Sequence, residues 1–229
     1  MYLDERHNPV AVYRLFQLIS PSLPIGGFTY SQGLEWAVEA GWVSDRVSMQ
    51  DWLANMLFNS VATLELPLID RFYAAIQAQD EASLEYYSAL IYSSRETKEL
   101  RAEERQRGHA LITLLRQLGI GVERYSKRAM ESNQLLGLCV AGIEWGIPAS
   151  ALKQGYLWSW AENLVMAGVK LVPLGQTDGQ KVLMHLSDLF TSALEQAAAT
   201  EDWMIGSFTP SVSIASSLHE TQYTRLFRS

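Results

Sequence analysis

Apolar residues in this sequence recur almost everywhere at steps of one, three and four, the spacing that places side chains on one face of an α-helix. Trp52, Leu53, Met56, Leu57, Val61 and Leu64 mark one such face over residues 46–64. Val12, Leu15, Phe16 and Ile19 form another, as do Leu84, Tyr87, Leu90 and Ile91. Farther on come Leu111, Leu114, Leu115 and Leu118, and then Val182, Leu183, Leu186, Leu189 and Phe190. No run alternates apolar and polar residues as a half-buried strand does, and Asp178-Gly179 lies between two helical patterns rather than in a hairpin. The pattern predicts an all-α fold.

Proline and glycine divide the helices. Residues 20–27 hold two prolines, which fix φ, followed by a glycine pair that permits positive φ. Gly41 is placed to close a helix that begins near Ser31, Asp45 and Asp80 to cap the helices that follow them, and Pro67 to enter the first turn of another. Breaks fall at 119–121, 146–148 and 171–179. The expected architecture is a single compact bundle of about ten helices spanning residues 1–229, with a C-terminal tail at 219–229.

Composition removes several classes of function. A chain of 229 residues with 48% apolar content can bury a large core without covalent staples. Its one cysteine, Cys139, allows neither an intramolecular disulfide nor a cysteine-based zinc site, which favours a reducing compartment. The net charge of -7 argues against nucleic acid and anionic membranes as partners. No stretch approaches the ~20 apolar residues needed to span a bilayer, and residues 1–9 lack the apolar core of a signal peptide. The expected location is the cytoplasm.

Two predicted helices depart from ordinary amphipathicity. Residues 155–172 are apolar nearly all round, as expected of a central helix or a subunit contact. Residues 95–107 carry nine charges in thirteen positions, with Arg95 spaced to pair with Glu99 and Glu103 with Arg107. Such a run reads as a solvated face or as a polar docking surface.

Catalytic patterns are missing from the sequence. His7, His109, His185 and His219 are scattered, and His219 begins a metalloprotease-like spacing that ends in Tyr223 where a second histidine is required. His185 and Asp188 stand one turn apart with no third ligand in view, and Cys139 sits among leucines as a small core residue. The glycines at 175 and 179 do not have phosphate-loop spacing, and no nucleophile elbow occurs. The reading is therefore no catalytic residue, no metal site and no cofactor. The tail at 219–229 mixes Tyr223, Leu226 and Phe227 with Arg225 and Arg228, a composition suited either to ordering against a partner or to packing on its own domain.

Residues 18–42, LISPSLPIGGFTYSQGLEWAVEAGW, closely resemble the N-terminal signature of the urease accessory protein family UreF. Residues 95–108, 165–176 and 219–229 match further blocks of that family in order, so the resemblance covers essentially the whole chain. It implies an all-α homodimer acting in the cytoplasm as a non-catalytic chaperone of urease maturation. Its partners would be UreD (also called UreH), the GTPase UreG and urease apoprotein, during GTP-dependent nickel insertion. The phosphate loop and the nickel ligands would then belong to the partners.

The resemblance also implies partner-binding residues. The family's tail orders on UreD, and its arginine for recruiting UreG matches Arg225, with Tyr223, Leu226, Phe227 and Arg228 around it. A tyrosine that some members carry in the glycine loop is Phe28 here, with Tyr30 two residues on. Lys170 occupies the position of a lysine linked to control of activation, and a structural role for it is the alternative. Two further readings remain beside the adaptor: a regulator of GTP hydrolysis by UreG acting in trans through an arginine, and a helical enzyme or small-ligand sensor.

Overall fold

The chain, seen in a computed structural model, is described over residues 9–229. His7 and all but the last residue of the N-terminal stretch at 1–9 lie outside the described residues. Every regular element among the described residues is helical. In chain order these are α1 (Pro9–Ile19), α2 (Leu34–Glu39), α3 (Arg46–Met56), α4 (Leu66–Ala78), α5 (Glu81–Ser93), α6 (Lys98–Gln117), α7 (Lys127–Ser132), α8 (Gln134–Glu144), α9 (Ala149–Leu171), α10 (Gln176–Ala199) and α11 (Pro210–His219), with short single turns between some of them. None is long and apolar enough to cross a membrane.

Local chemistry explains most boundaries. Asp45 accepts the Ser48 N–H at 2.8 Å while the Ser48 hydroxyl oxygen accepts the Asp45 N–H at 3.1 Å, a reciprocal cap for α3. Asp80 caps α5 by accepting the Ser83 N–H at 3.1 Å, and Thr97 caps α6 by accepting the Leu100 N–H at 3.2 Å. Gly41 follows α2 with φ 73°, a left-handed stop that glycine adopts without steric cost. The expected break at 171–179 is shorter than its sequence implies, because α10 already begins at Gln176. Gly179 lies inside that helix, where a Cβ would come within 2.7 Å of Val169 on α9.

Pro67 does not separate two helices. α3 and α4 are joined through Leu57–Glu65, a wider π-type segment with helical dihedrals at both junctions. The Leu66 N–H reaches back five residues to the Val61 carbonyl. Pro67 has no N–H for the carbonyl of Thr63 four residues earlier, and the Gly206 N–H takes that acceptor at 3.1 Å. The Phe208 N–H bonds the Asn59 carbonyl at 2.8 Å, and the Gln196 side chain donates to the Phe58 carbonyl at 3.0 Å. The wide segment thereby fastens the strap at 206–208, from which α11 departs.

The apolar faces read from the periodicity converge on one contiguous core running from Ala11 to Ala215. The nearly all-apolar α9 runs through it, touching α1, α2, α3, α4, α8 and α10. One face turns differently from expectation. Gly155 of α9 lets Leu15 and Ile19 of α1 approach closely, and this rotation leaves Val12 and Phe16 exposed beside Tyr13.

A helix crossing where the neighbour is backbone generates a test. A Cβ on Gly108 of α6 would meet the backbone oxygen of Asn133 at 2.8 Å and its carbonyl carbon at 2.9 Å, where Asn133 caps α8. Alanine is the better helix former by at most ~1 kcal/mol, but backbone cannot yield as a side-chain tip can. Gly108→Ala should destabilise the protein by about 1–3 kcal/mol in chemical denaturation; an unchanged midpoint would contradict this account of the crossing.

Candidate partner-binding site

The charge run before and within α6 is divided: Glu96, Lys98 and Arg105 stay exposed, while Glu103 and Glu104 are buried and Arg95, Glu99 and Arg107 are partly so. Arg95 precedes the helix with its side chain 12% exposed, and its Nη2 lies 2.8 Å from Glu65 and 2.6 Å from Glu104. Burial opposes a charge there, but the two carboxylates outweigh it and push the guanidinium pKa above its already high range. The expected Glu103–Arg107 pair forms at 2.9 Å. The expected Arg95–Glu99 pair does not form, because Glu99 faces the chain's own C-terminus.

That C-terminus is laid across α2, α6 and the turn after the glycine pair. Glu35 of α2 accepts the Leu226 N–H at 2.6 Å and the Phe227 N–H at 2.8 Å. Glu99 of α6 accepts Arg225 Nη1 at 2.7 Å. His219, at the end of α11, is fully buried between Glu99 and Glu35. The Arg228 N–H donates to the Thr29 carbonyl at 2.9 Å, and the Ser31 N–H donates to the Ser229 carbonyl at 2.7 Å. The Ser31 hydroxyl bonds the same carbonyl, while the Ser229 hydroxyl donates to Glu103 at 3.1 Å. Of the two states open to the tail from its composition, the structure presents the one packed on its own domain.

The residues expected to bind partners lie on or beside this patch. Tyr30 is buried and donates its hydroxyl to Gln106 at 2.7 Å; burial and then the charge of Glu103 raise its pKa. Phe227 is the apolar anchor, 6% exposed, with Lys170 Nζ 5.8 Å from its ring centroid in a cation–π contact. Phe28 in the glycine turn is 56% exposed, Leu226 and Tyr223 face outward, and the Arg225 side chain remains 41% exposed despite its ion pair. Arg228 reaches Gln106 at the longer distance of 3.4 Å.

The residues that sequence reasoning missed are the acceptors. Glu35 from α2 and Glu99, Glu103 and Gln106 from α6 hold the tail. The usable signal was a run dense in glutamate at 95–107 in a chain that ends in a tail with two arginines. Beside the patch, a cavity of about 40 Å³ is lined by Gln32, Glu103, Arg107 and Asn163 on one side and by apolar side chains such as Leu18, Ile25 and Leu164 on the other. Among the described residues no group of three or more His, Cys, Asp or Glu side chains is arranged to hold a metal ion.

Comparison with known proteins decides the family. The family model UreF matches residues 43–187. The chain belongs to the UreF family. It is 48% identical over 228 residues to the urease accessory protein UreF of Alcanivorax borkumensis, covering 97% of this chain and 100% of that one. The UreF of Pseudomonas putida is 45% identical over 223 residues, covering 97% and 100% respectively. The UreF of Escherichia coli O157:H7 is 45% identical over 222 residues, covering 97% and 99%. In this UreF-family chain the glycine turn and the tail lie outside the residues matched by the family model, although the full-length relatives span nearly the whole sequence.

Two outcomes test the electrostatics. Arg95→Met removes the cation shared by Glu65 and Glu104 and strands two buried carboxylates, so it should cost about 3–5 kcal/mol in a denaturant melt; a loss below ~1 kcal/mol would mean that the pair is not desolvated. Cys139 is fully buried, and burial pushes its thiol pKa far up, which keeps it neutral. The native protein should resist a thiol-alkylating reagent at neutral pH and react only after denaturation, a difference that mass spectrometry reads directly.

Proposed function

We propose that this chain is a non-catalytic adaptor of urease maturation, joining UreD/UreH and the GTPase UreG to urease apoprotein for GTP-dependent nickel insertion, with nickel as cargo. The observation that carries the reading is the tail patch. Buried anchors fix the main chain from both sides, and Phe28, Tyr223, Arg225 and Leu226 are left displayed on one surface. Tyr and Arg are the residue types most enriched at interface hot spots. The relatives are named as urease accessory proteins, which accords with a chain whose contribution is a surface.

The pinned tail gives the adaptor its physical logic. A partner that meets an ordered segment does not have to supply the entropy of ordering it, so whatever stabilises the docked tail raises affinity for the next partner. A partner seated on Tyr223 and Leu226 would add to the grip of Glu35 and favour recruitment through Arg225. The rival reading, in which an arginine acts in trans on GTP hydrolysis, requires Arg225 to leave Glu99 and so costs an ion pair. Single-turnover hydrolysis by UreG with and without this chain separates the two, since an adaptor need not change the chemical step.

A homodimer is part of the same proposal. Tyr13 and Phe16 on α1 and Trp158 on α9, two helices that pack together, expose apolar surface of the kind a second copy covers. The buried lone thiol accords with a reducing cytoplasm. Size measurement of the purified protein, alone and co-purified with UreD, UreG and urease apoprotein, tests oligomeric state and partnership together.

Arg225→Ala supplies the sharpest check. The side chain is part-exposed and makes one ion pair, so its loss should cost about 1 kcal/mol of stability or less. UreG recruitment should fall about tenfold or more, the scale of a central interfacial arginine. Undiminished capture of the GTPase by the folded variant would remove Arg225 from the interface.

A further inference from the structure

His219 is the one fully buried imidazole among the described residues, and it is clasped from both ends. Its Nδ1 lies 2.6 Å from Glu99 Oε2 and its Nε2 lies 3.2 Å from Glu35 Oε2. A neutral imidazole has a proton on one nitrogen and a lone pair on the other. Here that lone pair would face a carboxylate oxygen with no water between them, an arrangement that is repulsive as well as unsatisfied.

The remaining partners of the two glutamates fix where the proton belongs. Glu35 Oε1 accepts the Leu226 N–H and its Oε2 accepts the Phe227 N–H, while Glu99 Oε1 accepts Arg225 Nη1. Both oxygens of Glu35 already accept backbone N–H groups, and the guanidinium on Glu99 Oε1 favours the ionised form of that carboxyl as well. The neighbouring Glu220 is turned away and accepts the backbone N–H of Lys98 at 2.9 Å, so it does not compete for the ring. Two carboxylates from α2 and α6 then face two cations, one from α11 and one from the tail. With both glutamates ionised, the cluster is neutral only if the imidazole is charged. A cation at the C-terminal end of α11 is also favoured by the helix dipole.

We infer that His219 is an imidazolium that acts as a positioning residue, tying the carboxylate that grips the tail backbone to the carboxylate that grips Arg225. Through Glu35 it fixes the path of the main chain at Leu226 and Phe227. Through Glu99 it fixes the direction in which the guanidinium is presented. Loss of either ring proton unpairs one glutamate and loosens that half of the clamp. The consequence for recruitment rests on the adaptor reading above; the protonation and the clamp do not.

The test uses the full-length protein with ¹⁵N-labelled histidine, the His219 signals being assigned by elimination as those that persist in His7→Gln, His109→Gln and His185→Gln. Long-range ¹H–¹⁵N spectra at neutral pH should show both His219 ring nitrogens as protonated, imidazolium-type resonances. A lone-pair nitrogen on that ring overturns the inference, and this readout on the wild-type protein holds even where the variant does not fold. In a folded His219→Gln, one amide cannot donate to both glutamates, and hydrogen exchange at the Leu226 and Phe227 amides should accelerate about tenfold or more. Unchanged exchange in the folded variant sinks the clamp. If both ring nitrogens are protonated while Arg225→Ala still recruits the GTPase normally, the adaptor reading fails and the assignment of His219 stands.

Discussion

A carboxylate taken out of water must meet cations or N–H donors at close range, or several kcal/mol are lost. The polar half of this structure depends on that constraint along a single helix. Glu99, Glu103 and Glu104, within two turns of α6, are drawn inward, joined by Glu35 from α2 and Glu65 from the wide segment before α4. Each is met from a different direction: Arg95 from the loop before α6, Arg107 from the same helix, His219 from α11 and Arg225 from the tail. Docking of the C-terminus is thus the last step in neutralising an acidic interior.

A second constraint places those cations within reach. The widened turn at Leu57–Glu65 and the missing N–H of Pro67 leave backbone acceptors that the helix cannot satisfy internally. Gly206 and Phe208 satisfy Thr63 and Asn59, fixing the strap that ends α10's excursion and begins α11. Gly33, with φ 82°, then lets α11 approach so closely that a Cβ there would lie 3.0 Å from the Ser216 nitrogen. The outcome is that His219 arrives between Glu35 and Glu99. Backbone satisfaction in one part of the fold therefore sets side-chain electrostatics in another, and through them the surface offered to partners.

Much of this was legible in the chain. The buried faces through Trp52 to Leu64 and through Val182 to Leu186 follow from period alone, as do the caps at Asp45 and Asp80, because both depend on residues within one or two turns. The α1 face was misjudged because Val12 and Phe16 are as apolar as the neighbours that do pack; only the groove at Gly155 decides which side turns inward. The charge run at 95–107 was ambiguous for a similar reason. An i to i+4 pair such as Glu103–Arg107 can be read from spacing, whereas Arg95 pairs with Glu65 and Glu104, 30 and 9 residues away, and Glu99 with Arg225, 126 residues away.

The sequence by itself determined an all-helical chain, its punctuation, and membership of the UreF family through blocks of residues that need no coordinates to compare. It also determined that a tail with two arginines and three large apolar groups would interact with something. Tertiary structure alone decided that the first surface it meets is its own: Glu35 and Glu99 become neighbours of His219 and the tail only when α2, α6 and α11 converge. Helical period is a local property of the chain. The pairing of buried charges is not, because it depends on which distant groups lose their water together.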